Sequence, residues 1–211
     1  MCSVARINQF RGSRMTEKIA PTEVAIHELL ASRWSPRAIT GSVTREQLHQ
    51  ILEAARWAPS SYNMQPWRFM VFDRHHDEAA FQRAFATLVP FNQGWNANVP
   101  VLICVLAQTL TPKGDVNRTA PYDTGAAGMS LVLQAHALGL VAHQMAGFDI
   151  NAFREAFSPP DDVEVIAMIA LGHHGDPALL DEVLLERENA PRSRSAIGEI
   201  AFDGAWGNAF K

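Results

Sequence analysis

Apolar residues along the chain alternate between short continuous runs and stretches in which they recur every three or four positions. The runs at 67–72, 101–107 and 163–171 predict strands, and the second is apolar throughout, which is typical of a strand buried on both faces. Stretches with helical spacing lie between and after these runs. This interspersed order predicts a single domain of the three-layer α/β or α+β type.

The helix with the clearest start follows Val43. Thr44 and Gln47 match a capping box, and Val43 and Leu48 have the spacing of a hydrophobic staple. Pro59 predicts the end of this helix, because the residue before a proline avoids the helical conformation.

Further helices are predicted from end signals and apolar spacing. They comprise a first helix at 21–32, one that begins after Asp77, one at 151–157, and one that begins with the Asp-Pro pair at 176–177 and runs to about 187. We predict that 90–100 is a loop or a broken helix and that 108–121 is a polar surface excursion.

The segment 123–140 carries helix-forming residues almost throughout. It is rich in Ala, Gly and Leu, and a helix that is apolar nearly all round lies in a core or at a subunit interface. Gly125 and Gly128 allow another backbone to approach closely, and Gly139 is a natural C-terminal stop. We therefore expect a long buried central helix.

Composition narrows the class of protein. The 211 residues carry a net charge of −4 without a long Lys/Arg run, which does not favour nucleic acid as a partner, although local arginines still allow a small anionic ligand. No apolar run approaches the roughly 20 residues that span a bilayer. The only cysteines are Cys2 and Cys104, and Cys104 lies in an apolar run. We therefore expect a cytoplasmic protein without a disulfide framework.

We expect one domain at 21–194, since the chain has no internal repeat and no long linker. Residues 1–20 are expected to form a disordered arm, because the first 14 carry three arginines but lack the apolar core of a signal peptide; alternatively, translation starts at Met15. The tail at 195–211 alternates in part between apolar and polar residues. This pattern predicts an added edge strand or a segment that crosses to a partner subunit.

The stretch R-W-S-P-R places three polar side chains at alternate positions of an irregular segment. Arg33, Ser35 and Arg37 can converge from one side, where guanidinium groups match phosphate oxygens and a hydroxyl adds a donor. The alternative is a solvated loop with surface ion pairs.

The stretch A-P-S-S-Y-N-M-Q-P-W follows the helix that begins at Thr44. Ser60 and Ser61 offer hydroxyls for a phosphate or a polyol chain, and the amides of Asn63 and Gln65 offer donors and acceptors. A helix-terminating turn also favours Pro, Ser and Asn, but this combination exceeds what a turn requires. It therefore predicts a binding loop.

Histidines do not form a convincing metal set. The adjacent pairs at 75–76 and 173–174 are expected in polar turns, and no cysteine or carboxylate completes a site with His136 and His143. We therefore predict no metal. His143 is interpreted either as a hydrogen-bonded core histidine or as a residue that faces the ligand.

The motifs occur in the order found in the FMN-dependent nitroreductase family, which the sequence resembles. They are the R-x-S-x-R loop, A-P-S-S-Y-N-M-Q-P-W-R-F, the D-T-G-A-A helix with A-L-G-L at its end, M-A-G-F-D, an I-A-L-G strand and a late R-S-R, and they span 33–194. The resemblance implies an α+β fold of three layers, α/β/α, with a central, mainly antiparallel sheet flanked by helices. It also implies FMN at a homodimer interface and a C-terminal tail exchanged with the partner subunit.

Residue by residue, the resemblance assigns one group of side chains to the phosphate end of FMN. Arg33, Ser35 and Arg37 match residues that hold the phosphate and the ribityl or pyrimidine side, and Arg192 and Arg194 match late basic residues at the phosphate.

A second group is implied nearer the flavin ring. Ser60, Ser61 and Asn63 match ribityl and phosphate contacts that the partner subunit often supplies. Ala146 and Gly147 match a backbone segment beside the ring, where a main-chain N–H reaches N5. Family members often carry an acidic residue where this chain has Ala146, so only a backbone role is implied there.

The resemblance implies an oxidoreductase that takes electrons from NADH or NADPH and passes them, by a ping-pong cycle through flavin N5, to small acceptors such as nitroaromatics or quinones. No side chain is identified as a catalytic acid or base. Phe91, Trp95, Tyr122 and His143 are candidates for the substrate pocket. The alternatives are another redox reaction on the same flavin (dehalogenation, heterocycle oxidation or flavin consumption), a non-catalytic flavin-binding or sensor protein, and a cofactor-free binding protein.

Overall fold

The computed structural model describes residues 18–211, so most of the predicted N-terminal arm lies outside the described residues. The strands are β1 (Ile39–Thr40), β2 (Trp67–Asp73), β3 (Val101–Gln108), β4 (Val141–Met145) and β5 (Val163–His174). The helices are α1 (Glu28–Ser32), α2 (Arg45–Arg56), α3 (Glu78–Ala86), α4 (Pro90–Asn96), α5 (Ala120–Ala137), α6 (Ile150–Phe157), α7 (Glu182–Asn189) and α8 (Ile197–Ile200). Two 3-10 turns cover Ser61–Asn63 and Pro177–Leu179.

The long strand β5 organises the sheet. It pairs with β3 along 163–171, with β4 along 168–172 and with β1 at 173–174, and β3 pairs in turn with β2. Every one of these pairings is antiparallel. The α+β fold with a mainly antiparallel sheet is therefore confirmed.

Helices cover both faces of the sheet and make two apolar cores. Leu102 and Cys104 of β3 lie in the core shared with α3, α4 and α6. Ile103 and Val105 point the other way, into the core shared with α2 and α5. This alternation explains why β3 is apolar throughout, as predicted for a strand buried on both faces.

The predicted start of α2 is confirmed in detail. Thr44 Oγ1 accepts a hydrogen bond from the Gln47 N–H at 3.1 Å, and Gln47 Oε1 accepts one from the Thr44 N–H at 2.9 Å. Val43 and Leu48 are buried in the same core, as the staple spacing predicted. Two N–H groups of the first turn are thereby satisfied, which fixes where the helix begins.

Two predicted helices are shorter than their sequence patterns suggested. The first covers only Glu28–Ser32, because His27 Nδ1 accepts from the Leu29 N–H and so caps the helix there. The Asp-Pro pair at 176–177 begins a single 3-10 turn. A second capping residue, Asp181, then accepts from the Leu184 N–H and starts α7.

Other expectations were wrong about where strands and helices lie. His173 and His174 belong to β5 and not to a turn, and β4 was not predicted, because its five residues show little alternation. The helix predicted at 123–140 begins at Ala120, inside the predicted surface excursion. The tail contains α8 and an isolated bridge between Phe202 and Ala209, so within the described residues it adds no strand to the sheet.

Among residues 18–211 the structure shows no helix of the length and apolarity needed to cross a membrane.

Candidate functional site

Six cationic side chains surround one cleft of about 300 Å³. The cleft lies between the segment 33–37 and the segment that follows α7, and its cations are Lys18, Arg33, Arg37, Arg187, Arg192 and Arg194. Ser35 also lines it. The structure thus brings together Arg33, Ser35 and Arg37 with Arg192 and Arg194, the group that the resemblance assigned to the phosphate end of FMN.

The protein already uses some of these cations. Arg192 Nη1 donates to the backbone carbonyls of Lys18 at 2.6 Å and Ala31 at 2.7 Å, so this guanidinium ties the two chain ends together. Lys18 Nζ donates to the Glu188 carbonyl and lies over the ring of Trp34. These two side chains therefore hold the walls of the cleft in place.

The other guanidinium groups keep most of their donors for a ligand. Arg33 reaches only the Ser35 hydroxyl, at 3.5 Å, and the buried Nε of Arg37 has no hydrogen-bond partner in the described part of the chain. A buried donor without an acceptor is costly. The arrangement therefore favours an anion that accepts from Arg33 and Arg37.

Like charges crowd each other at this cleft. Burial lowers the pKa of Arg33 below its ordinary value, and the nearby charges of Arg192 and Arg194 lower it further. Burial also lowers the pKa of Arg37. The guanidinium groups remain charged at neutral pH. A bound anion would relieve their mutual repulsion.

A buried carboxylate that sequence reasoning missed contacts residues of the cleft. Glu188 in α7 is only 3% exposed, and it accepts hydrogen bonds from the backbone N–H groups of Arg37 and Ala38. The available signal was its spacing, since Glu188 lies four residues after the buried Leu184 on the same helix face.

The predicted loop at 60–65 has an unusual backbone. Tyr62, Asn63 and Gln65 adopt φ values of 50°, 53° and 47°, in the left-handed region. Asn tolerates this conformation, but it costs free energy for Tyr and Gln. Three such residues in one short loop mark a constrained segment, and such segments concentrate at functional sites.

Hydrogen bonds anchor this loop to the first turn of α5. The Ser61 N–H donates to Asp123 Oδ2 at 3.1 Å, and the Ser60 hydroxyl accepts from the Gln65 N–H at 3.0 Å. The cation cleft is lined by residue 18 and by residues 33–37 and 187–194, so the loop does not belong to it. A single chain therefore carries two separate groups of candidate binding residues.

The segment at 146–147 is a third predicted element. The Gly147 carbonyl accepts from Asn92 Nδ2 at 2.8 Å and from the Val89 N–H at 3.1 Å. A Cβ at position 147 would lie 2.5 Å from Asn92 Nδ2, so a larger residue would require the Asn92 side chain to move. Within residues 18–211 the Gly147 N–H has no hydrogen-bond acceptor, which leaves it available to a ligand.

Two of the substrate-pocket candidates belong to the interior. Trp95 is 4% exposed, donates from Nε1 to Asn92 Oδ1 at 3.0 Å and packs on His143 with ring centroids 4.7 Å apart. Its expected role as an open stacking surface is not supported, because its ring fills the core. His143 Nδ1 lies 2.9 Å from the Pro36 carbonyl oxygen. The interpretation as a hydrogen-bonded core histidine is therefore the one that the structure favours.

The remaining two candidates are on the surface. Phe91 is exposed on α4, with the Arg187 guanidinium 5.1 Å from its ring centroid, and Tyr122 is 82% exposed in the first turn of α5. Both rings are accessible to a ligand or to another protein chain.

The fold is α+β, and the site combines a cation-lined cleft with a backbone N–H, that of Gly147, that has no acceptor among residues 18–211. The family model described as "Nitroreductase family" matches residues 30–173. The chain therefore belongs to the nitroreductase family. The basic segment at 187–194 lies beyond the matched residues.

Relatives with the same fold include flavoproteins. A crystal structure described as an oxidoreductase containing FMN is 35% identical, covers 90% of this chain and 96% of its own, and superposes with a TM-score of 0.84. A structure from Desulfovibrio desulfuricans in complex with FMN is 26% identical, with coverage of 86% and 99% and a TM-score of 0.66. An NADH dehydrogenase from Thermus thermophilus is 29% identical, covering 60% of this chain and 75% of its own.

Proposed function

We propose that this protein binds FMN between two copies of the chain and uses it to pass electrons from NADH or NADPH to a small organic acceptor such as a nitroaromatic or a quinone. The single observation that carries the proposal is the cation cleft. Among the described residues, Arg33 donates only to the Ser35 hydroxyl, and the buried Nε of Arg37 has no acceptor. Membership of the nitroreductase family and the FMN of two structural relatives support the same ligand.

The cleft residues fit the phosphate end of FMN. A phosphate monoester carries about −1.5 to −2 charges at pH 7 and three strong acceptor oxygens. Arg33 and Arg37 offer planar N–H donors, Arg194 adds charge, and Ser35 offers a hydroxyl. Arg192 contributes its charge while it holds the cleft wall.

The loop at 60–65 fits the ribityl chain, but in this proposal it serves the FMN of the partner subunit. This explains why the loop and the cation cleft are separate in one chain. The helix α5 supports a dimer, because Tyr122, Gly125, Met129 and Leu133 form an uncharged stripe that the chain leaves exposed or half-buried. Such a stripe, with a glycine for close approach, is suited to packing against its own copy.

FMN, when bound, supplies the redox chemistry by accepting a hydride equivalent at N5 and passing electrons to the acceptor. The Gly147 N–H is the donor that this chain offers to the flavin ring, and Asn92 holds its peptide group in place through the carbonyl. The side chains of the protein bind and orient the cofactor, and none is proposed as a catalytic acid or base.

Replacing Arg33 with alanine tests the assignment of the phosphate. We expect FMN affinity to fall by at least about tenfold, because a hydrogen bond to a charged group is worth about 1.5–3 kcal/mol. The measurement is a fluorescence titration of FMN. Arg45→Ala, which removes an exposed arginine from the first turn of α2, is the matched control and should bind FMN as the wild type does. Equal FMN affinity in the two variants would contradict the assignment.

An absorbance spectrum tests the reaction. The purified protein should show a flavin spectrum that bleaches with NADH or NADPH under anaerobic conditions and returns when a quinone or a nitroaromatic is added. A spectrum that stays oxidised with both donors would favour a sensor or storage protein. A colourless protein that does not take up FMN would contradict the proposal.

A further inference from the structure

Glu188 is a buried acidic residue that contacts the backbone of Arg37, one of six cationic residues that line the cleft. Both of its carboxylate oxygens accept from the Arg37 N–H, at 3.1 and 2.9 Å, and Oε1 also accepts from the Ala38 N–H at 3.3 Å. His174 Nε2 lies 3.9 Å from Oε1, which is too long for a hydrogen bond. The carboxylate thus joins α7 to the segment that carries Arg33, Ser35 and Arg37.

This carboxylate is ionised in the folded protein. Burial alone would raise the pKa of Glu188, but His174 and the N–H groups of Arg37 and Ala38 outweigh that effect and hold the pKa below its ordinary value. A negative charge at this place repels a phosphate in the cleft, so it does not improve phosphate binding by its charge. Its contribution must come from geometry.

The geometry is specific to the phosphate-binding segment. The two N–H groups that Glu188 holds belong to Arg37 and to the residue after it, 151 and 150 positions away in sequence. The backbone N–H groups of an irregular segment need acceptors when they are buried. A carboxylate satisfies both and thereby fixes the direction in which the Arg37 side chain leaves the backbone.

We propose that Glu188 is a positioning residue for the phosphate cleft: it orients the 33–37 segment through the backbone of Arg37 and Ala38, and it increases affinity for the phosphate despite its own negative charge. The inference rests on the proposed binding of FMN. It adds a residue to that site that touches no ligand and acts through the backbone alone.

The change Glu188→Gln separates geometry from charge. Glutamine keeps the size of the side chain, but its NH₂ group cannot accept a hydrogen bond, so it puts a second donor in place of one of the two carboxylate oxygens that face the Arg37 N–H. Loss of the negative charge by itself would tighten phosphate binding. We expect the opposite, a rise in the Kd for FMN of about tenfold or more, because the arginine donors are no longer held towards the phosphate.

Riboflavin shows whether the effect is confined to the phosphate end. It carries the same ring and ribityl chain as FMN but has no phosphate, so its affinity should differ by less than about twofold between wild type and Glu188→Gln. A variant that had merely lost structure would bind both ligands poorly. The matched control is Glu186→Gln, which makes the same change on the exposed face of α7 and should leave FMN affinity unchanged or slightly tighter.

Glu188→Asp keeps the charge and withdraws the carboxylate by one methylene group, and it serves if the glutamine variant does not fold. It should also weaken FMN relative to riboflavin, since the shorter side chain cannot reach both N–H groups. Unchanged or tighter FMN binding in either variant would overturn the positioning role. If the wild type binds FMN no better than riboflavin, the proposed phosphate site itself fails, and that outcome is separate from the failure of Glu188.

Discussion

Single residues of the cleft differ in whether the protein satisfies their polar atoms. Arg192 is held by two carbonyls, whereas Arg33 and Arg37 keep donors for a ligand.

Burial decides the chemistry of Cys104 in the core, because it raises the pKa of that thiol to about 12. The thiol therefore stays protonated, and the sequence-based prediction of a small buried apolar residue is confirmed.

Two partly buried histidines are expected to make the stability of the protein depend on pH. Burial lowers the pKa of His143 and the nearby charge of Arg37 lowers it further, although the Pro36 carbonyl and Glu188 oppose this. Burial and the charge of Arg33 likewise lower the pKa of His136. The unfolded chain, with histidine pKa values of about 6.5, therefore binds more protons than the folded one below that pH. The stabilisation is complete above about pH 6.5 and is lost as the pH falls through the folded pKa.

We expect the free energy of unfolding to decrease from about pH 7.5 to about pH 5.5, on either side of the ordinary histidine pKa, as measured by urea unfolding. His143→Asn keeps a donor near the Pro36 carbonyl but cannot titrate, so its stability should fall less over the same range. Parallel pH profiles for the two proteins would show that His143 does not contribute.

At the scale of elements, capping residues near the helix ends were enough to locate the starts of two helices. The capping box of α2 and the Asp77 cap of α3 formed as predicted, because each depends only on residues three positions apart. The start of α7 was misjudged because two capping aspartates, Asp176 and Asp181, compete within six residues. Which of them begins the longer helix depends on burial of Leu184, which is a tertiary contact.

The helix α5 provides a test of the dimer. A Cβ at Gly125 would meet no atom within 4 Å in the single chain, so Gly125→Leu should fold normally as a monomer. If α5 packs against its copy at this glycine, leucine will force the helices apart and reduce both dimer formation and FMN binding. Sedimentation velocity measures the first effect and fluorescence titration the second.

Gly94→Leu is the matched control for this test, because Gly94 lies on α4 and also has open space around it. It should leave the oligomeric state unchanged. A Gly125→Leu protein that remains a dimer with bound FMN would contradict a close contact at α5.

At the scale of the whole molecule, the proposed function divides one cofactor site between two chains, with the cation cleft on one and the 60–65 loop on the other. FMN affinity should therefore depend on protein concentration. Dilution of the holoprotein below the dimer dissociation constant should release FMN, with the flavin fluorescence and the sedimentation coefficient changing together. Retention of FMN by a monomer would contradict the shared site.

The sequence by itself determined the features that depend on neighbouring residues. The sequence predicted three strands, the caps of α2 and α3 and the long apolar helix. It could do so because hydrophobic period and capping are local properties. The order of the sequence motifs also indicated the family, which the family match confirms.

Only the tertiary structure decided which distant groups meet. It placed Trp95 in the core and selected Glu188 over Glu186 as the buried carboxylate. A charge such as the Glu188 carboxylate can be buried only where hydrogen-bond donors surround it. Here the donors are the backbone N–H groups of Arg37 and Ala38, about 150 positions away in the sequence. The spacing from Leu184 could indicate that Glu188 is buried, but no pattern along the chain shows which distant N–H groups its carboxylate meets.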